Sequence, residues 1–283
     1  MIFTSALAVT TFAAAALAGS IVPRATTTAP ANVIDKIQLH ARLAMAAYIN
    51  PGGCESSISG SKVLQQFTSP AGQNGFIIQM NATKEVNIVF RGTLSLRNGQ
   101  TNADSTPTPV SWPGCTGCTV HHGFYTNYLD AKNYTNGFAT AFNAASALGY
   151  KVNCVGHSLG AAVAAMCAGD LYPSGKVSEI YTYGEFRTMN QAAATWVDSR
   201  LGSKVYRVVN GGDSVPAQVL DATYVHHGVG YKRDGSNART LVCASDTDPE
   251  CAGGSNVVDQ YVRFHYILRK STRTNRFEQL SQY

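Results

Sequence analysis

Charge is scarce in this chain. Asp, Glu, Lys and Arg make up 14% of its 283 residues, too few for a coiled coil or a disordered, self-repelling chain. Beyond the N-terminus no apolar run reaches the length a bilayer-crossing helix needs. A dense basic block is also missing. The net charge of +5 is scattered, and Arg263, Arg269, Lys270, Arg273 and Arg276 near the C-terminus read as a solvated tail, not as a nucleic-acid footprint. The Cys-x-x-Cys pattern occurs once, at Cys115 and Cys118, without a second ligand pair at zinc spacing, which argues against a structural zinc.

Apolar residues make up 45% of the chain, enough for a sizeable core. Ala6 to Ala18 is short and mostly apolar, and Ala16-Leu17-Ala18 has the small-residue spacing of a signal-peptidase site. Residues 1–18 are therefore expected to be a signal peptide, 19–30 a pro-segment or linker, and 31–283 a single domain. A secreted, extracellular protein is expected. The cysteines agree with export: Cys115/Cys118 and Cys243/Cys251 lie in turn-rich sequence where bridges could form. Cys154, in an apolar strand, and Cys167, in an apolar helix, read as buried thiols, and Cys54 has no obvious partner. Asn81-Ala-Thr83 and Asn133-Tyr-Thr135 are candidate glycosylation sites.

Strand and helix patterns alternate. Apolar spacing predicts helices over 33–50, 124–148 and 161–171, and strands over 75–80, 86–90, 151–155, 179–183 and 205–209. Residues 96–118 read as a long polar loop, and 223–230 as strand-like. The alternation points to an α/β domain with a mostly parallel or mixed sheet flanked by helices.

Between the strand at 151–155 and the following helix stands Gly156-His157-Ser158-Leu159-Gly160. Gly-x-Ser-x-Gly in that context is a nucleophile elbow, which lifts a serine hydroxyl to a helix N-terminus. Serine needs a base, and the base needs an orienting acid. Asp213, in the glycine-rich loop after the strand at 205–209, is the candidate acid. His265 is the candidate base. His226 and His227, close behind the acid loop, read as structural, as do His121 and His122, and His157 reads as a packing residue.

Several stretches together resemble the fungal class 3 lipase family, which includes secreted feruloyl esterases. They are Ile88-Val-Phe-Arg-Gly-Thr93, Val120-His-His-Gly-Phe124, the elbow, Tyr181-Thr-Tyr-Gly-Glu-Phe-Arg187, Gly212-Asp-Ser-Val-Pro216 and Tyr224-Val-His-His-Gly228. The resemblance covers roughly residues 35–270. It implies an α/β-hydrolase fold of class 3 lipase type, with Ser158 as nucleophile, Asp213 as acid and His265 as base. It also implies oxyanion N–H donors on Thr93 and Leu159, with no metal and no cofactor. The expected partner is a small-molecule or lipid ester, with transient contact to a lipid surface, and the expected state is a monomer.

Three departures from the family pattern stand out. An ungapped alignment puts Gln260 where the base belongs, and an amide cannot serve as one; the step from Cys251 favours His265. Phe186 replaces a proline beside Arg187. Cys54 lacks the C-terminal cysteine to which its counterparts are paired. Leu94 to Ser105 is mostly polar, whereas a lipase lid needs an apolar face. Val110, Trp112 and Pro113 are candidates to line an acyl pocket. The reading is a secreted serine ester hydrolase of lipase type. The alternatives are a feruloyl-type esterase with a polar lid, or a catalytically silent lipase-like binding protein.

Overall fold

The computed structural model describes residues 27–92, 104–210, 213, 215–216, 223–233 and 240–243. The expected signal peptide, Thr93, Cys251 and His265 lie outside the described residues. In chain order the elements are β1 (Thr27–Thr28), α1 (Ala31–Ile49), α2 (Gly53–Ser57), β2 (Ser61–Thr68), β3 (Asn74–Met80) and β4 (Glu85–Phe90). They continue with β5 (Pro107–Pro109), β6 (Thr119–His121), α3 (His122–Tyr134), α4 (Ala139–Leu148), β7 (Lys151–His157) and α5 (Leu159–Leu171). Then follow β8 (Glu179–Tyr183), α6 (Gln191–Leu201), β9 (Val205–Asn210), β10 (Gly230–Arg233) and β11 (Thr240–Val242).

Nine of these strands form one sheet in the order β1-β11-β10-β9-β8-β7-β4-β3-β2. The central run β4, β7, β8, β9 and β10 is parallel. The outer strands on both sides are antiparallel. Parallel strands need a crossover between them, and α3 with α4, then α5, then α6, supply these in turn. Every residue of β4 and of β8 is buried, as expected where helices cover both faces of a sheet. Thr27 and Thr28 pair with Val242 and Leu241, so the sheet reaches into the stretch read as a linker.

Each face of the sheet carries its own core. On one face Phe90, Phe124, Phe138, Trp112 and Trp196 gather around α5. Almost all of α5 is buried, and its run of Ala and Gly lets it lie close to the strands. On the other face α1 packs Ile37, Leu43, Ala44 and Ala46, at helical spacing, against β4, β7 and β8.

The α1 face also holds a buried polar ladder. The His40 ring stacks on Tyr181 at 3.5 Å, and Tyr181 stacks on Tyr206 at 4.6 Å. His40 Nε2 stands 3.3 Å from Glu85 Oε2, a polar contact that falls short of an aligned hydrogen bond. Lys36 pairs with Glu179 at 2.7 Å. Burial opposes ionisation of Glu85, but His40, Thr83 and Lys36 outweigh it and hold its pKa below the usual value.

Several expectations are corrected. The helix expected over 124–148 is two helices, because Asn136, Gly137 and Phe138 adopt left-handed backbone conformations that cannot continue a right-handed helix. Cys154 and Cys167 are a disulfide joining β7 to α5, not thiols; their separation of 13 residues hid the pairing. The 96–118 loop contains β5, paired with β6. Trp112 does not approach the elbow. It packs against Gly169 at the far end of α5 and against Trp196. Strands β1, β2, β6 and β11 and helices α2 and α6 complete the fold without having been read from the sequence, and the strand expected over 223–230 starts only at Gly230, as β10. Cys115 and Cys118 are bridged, Cys243 is in a disulfide, and Cys54 is a buried free thiol. No helix among the described residues is long and apolar enough to cross a membrane.

Candidate active site

The elbow stands at the C-terminal end of β7, between β4 and β8 in the parallel run. Gly156 and Gly160 face each other across the turn, and the α-carbon of Gly160 lies against the Phe90 carbonyl of β4. Any β-carbon there would collide with backbone, so only glycine lets α5 begin this close to the sheet. Ser158 itself has φ 56° and ψ −124°, a conformation in which an L-residue is strained. Two backbone bonds help hold it: its N–H donates to the Tyr183 carbonyl at 2.9 Å, and its carbonyl accepts from Ala161 N–H at 2.9 Å.

An N-cap serine ordinarily spends its hydroxyl on a free helix N–H. Ser158 occupies the N-cap of α5 and makes no such bond, which leaves Oγ available. It is 7% exposed, so what reaches it is largely stripped of water. Leu159 is the first residue of α5, where backbone N–H groups lack an intrahelical carbonyl and favour negative charge.

Two neighbouring strands frame the serine. At the end of β4, Gly92 touches the Tyr48 hydroxyl and lies beside His157 and Ser158. Thr93 follows it directly. At the end of β8, Gly184 (φ +58°) leaves room for Asp213: a β-carbon at Gly184 would stand 2.6 Å from Asp213 Oδ2 and 3.9 Å from His157 Nε2. The chain thus brings Ser158 and Leu159, after β7, and Asp213, after β9, to either side of the end of β8, with the N-terminal neighbour of Thr93 beside the serine.

Asp213 is 6% exposed. Its Oδ1 accepts from Val215 N–H at 2.9 Å. Burial pushes its pKa up to about 6, with the Val215 bond opposing that rise. A carboxylate held this dry gains from a cationic neighbour. His157, next to the serine, does not supply one. Burial pushes its pKa down to about 4, so it is neutral, and its Nδ1 is hydrogen-bonded to the Tyr48 hydroxyl at 2.8 Å. That fits its reading as a packing residue.

The other described histidines near the site are engaged elsewhere. His227 Nε2 pairs with Glu185 at 2.9 Å, both buried. His226 Nε2 bonds the Pro216 carbonyl at 2.9 Å, and burial, aided by Arg207, holds its pKa well below normal. His121 is buried beside Phe124 and Tyr224, while His122 pairs on the surface with Asp104 at 2.6 Å. Phe186 takes its place by stacking on Phe124, ring centroids 5.5 Å apart. Among the described residues no cluster of three or more His, Cys, Asp or Glu side chains could hold a metal ion.

Sequence reasoning missed Tyr48, Gly92 and Gly184 as parts of this site. Gly92 and Gly184 each end a strand, a signal that could have found them. Tyr48 sits in the last turn of an amphipathic helix and carries no such signal.

Residues 87–222 match a family model described as lipase (class 3). A lipase of Rhizomucor miehei is 36% identical over 65% of this chain and 52% of that protein. A secreted mono- and diacylglycerol lipase of Fusarium solani is 29% identical over 71% of this chain and 62% of that protein. The chain therefore matches little more than half the length of these curated relatives. The solved structure of a lipase from Rhizopus microsporus var. chinensis is 32% identical, with a TM-score of 0.70 over 80% of this chain and 84% of that one. The fold is the α/β-hydrolase fold.

Proposed function

The chain belongs to the class 3 lipase family, and from that premise we propose that it is a secreted serine carboxylic ester hydrolase of triacylglycerol-lipase type. The observation that carries this reading is the strained Ser158, whose hydroxyl is left uncapped at the N-terminus of α5. The names of the relatives, lipase and mono- and diacylglycerol lipase, favour glycerides over feruloyl esters. Short- or medium-chain glycerides are the proposed substrates, met by transient contact with a lipid surface.

In the proposed reaction the Ser158 hydroxyl attacks the ester carbonyl while His265 takes its proton. Asp213 orients the imidazole and stabilises its charged form, and its own burial makes that charge welcome. The oxyanion is met by the N–H groups of Thr93 and Leu159. His265 returns the proton to the leaving alcohol, and an acyl group stays on Ser158. Water, deprotonated by the same histidine, attacks the acyl carbonyl; the acyl–Oγ bond breaks, His265 returns the proton to Ser158 Oγ, and the acid leaves.

Secretion as a monomer, a third bridge from Cys243 to Cys251, and glycans at Asn81 and Asn133 belong to the same proposal. Both asparagines are exposed. Asn81 lies in the turn between β3 and β4, and Asn133 in the last turn of α3.

The test is hydrolysis of glycerol esters of rising acyl length, with methyl ferulate alongside, below and above substrate solubility. Glyceride turnover exceeding ferulate turnover is expected, with a loss of kcat of about 10⁶-fold in Ser158→Ala and His265→Ala. Turnover of methyl ferulate alone would overturn the lipase reading.

A further inference from the structure

A half-open cleft of 490 Å³ lies at the opposite end of α5 from the serine. The helix is 13 residues long, which separates the two by about 20 Å. Pro113, Trp196, Tyr172, Pro173 and Val177 give the cleft its apolar wall. Its polar residues are Ser178, Arg200, Lys204 and, through its hydroxyl, Tyr172, and among the described residues no Asp or Glu lines it.

Among the described residues both cations are held without being neutralised. Lys204 Nζ donates to the Tyr172 hydroxyl at 3.2 Å and stands 5.3 Å from that ring's centroid. The Arg200 guanidinium stands 6.0 Å from the Trp196 ring. Cation–π contact positions a cation while leaving its charge for a ligand. Neither residue forms an ion pair among the described residues. Asp198, two residues before Arg200, accepts from Gly228 N–H at 2.5 Å, and Glu179, beside the cleft residue Ser178, pairs with Lys36 at 2.7 Å.

Two unopposed cations over aromatic and proline faces complement an anion with an apolar body, and a cleft of this size suits a small organic ligand. We propose that the cleft is a second, non-catalytic binding site for amphipathic organic carboxylates. The carboxylate lies between Arg200 and Lys204, where guanidinium can grip it with paired N–H donors. The aryl or alkyl body lies against Trp196, Tyr172 and the two prolines. Nothing in this assignment depends on the reaction proposed for Ser158.

Trp112 and Trp196 are the two tryptophans of the chain, with ring centroids 5.3 Å apart. Intrinsic tryptophan emission therefore reports on the cleft. Octanoate and 3-phenylpropionate, titrated into the full-length protein, are expected to change that emission saturably. Acetate and 3-phenylpropionamide are expected to bind at least about tenfold more weakly, the first for want of an apolar body and the second for want of charge. The double variant Arg200→Gln/Lys204→Gln is expected to lose about tenfold in carboxylate affinity while keeping the wild-type thermal midpoint. Three outcomes would overturn the proposal: no saturable change, equal affinity for the acid and its amide or for octanoate and acetate, or unchanged affinity in a folded double variant.

Discussion

The carboxylate of Asp213 fills the space that a side chain at Gly184 would need, since a β-carbon there would stand 2.6 Å from Oδ2. Gly184 also has φ +58°, which strains any other residue. Gly184→Ala is therefore expected to displace the acid and lower kcat by about 10²-fold, as misplacement by an ångström does. KM should change little. Wild-type steady-state kinetics in this variant would separate the position of Asp213 from the reaction.

Asp213 itself should trade stability for activity. Its folded pKa, about 6, lies above the unfolded value of a carboxyl. Such a group binds its proton more tightly when folded, so its contribution is favourable at low pH and lost as pH rises through 6. At pH 8 the buried charge costs folding on the order of 3 kcal/mol. Asp213→Asn is expected to lower kcat by about 10⁴-fold and to raise the thermal midpoint at pH 8. The gain should vanish near pH 4. A lowered midpoint at pH 8 would show that a partner already compensates the carboxylate.

Glu85 should behave in the opposite sense. Its folded pKa is held below normal, so it stabilises the fold above the unfolded pKa and the benefit is lost as pH falls through the folded value. The α1 face should loosen on acidification below about pH 4.5. Urea unfolding at pH 3 and pH 5 is expected to show a smaller pH dependence in Glu85→Gln than in the wild type. Parallel dependences would mean that the His40–Glu85 contact contributes nothing.

The bridge between Cys154 and Cys167 encloses the elbow, running from β7 to α5. A loop of this length stabilises by about 3 kcal/mol. Cys154→Ala/Cys167→Ala is expected to lose that amount in chemical denaturation. Alkylation of either cysteine in unfolded, unreduced protein would contradict the bridge.

The elbow was legible because its signal is local: an apolar strand, two small residues around a serine, and an alanine-rich helix within about twenty residues. Asp213 carries a weaker signal, a carboxylate in a glycine-rich loop after a strand, which taken alone reads as an ordinary turn aspartate; the structure sets it against Gly184. What escaped depends on distance along the chain or on backbone sign. Asn136-Gly137-Phe138 sits within a continuous apolar helical period, so the periodicity ran through the break. Cys154 and Cys167 each looked like core residues because each is one; their meeting is a property of how α5 lies on β7. Trp112 follows the polar loop in sequence and looked like pocket lining, yet β5 carries the chain toward α6, where Trp196 covers it. Helix α6 had a readable start: the Asn190 side chain accepts from Ala193 N–H at 2.9 Å, an N-cap ahead of an alanine run.

The central claim is that Ser158 is an activated nucleophile whose base is His265 and not Gln260. The most direct measurement is labelling with a serine-reactive organophosphonate, with the adduct mapped by mass spectrometry in wild type, Ser158→Ala and His265→Ala. One adduct per chain, on Ser158, is expected in the wild type and none in either variant. No adduct in the wild type, or full labelling of His265→Ala, would contradict the account.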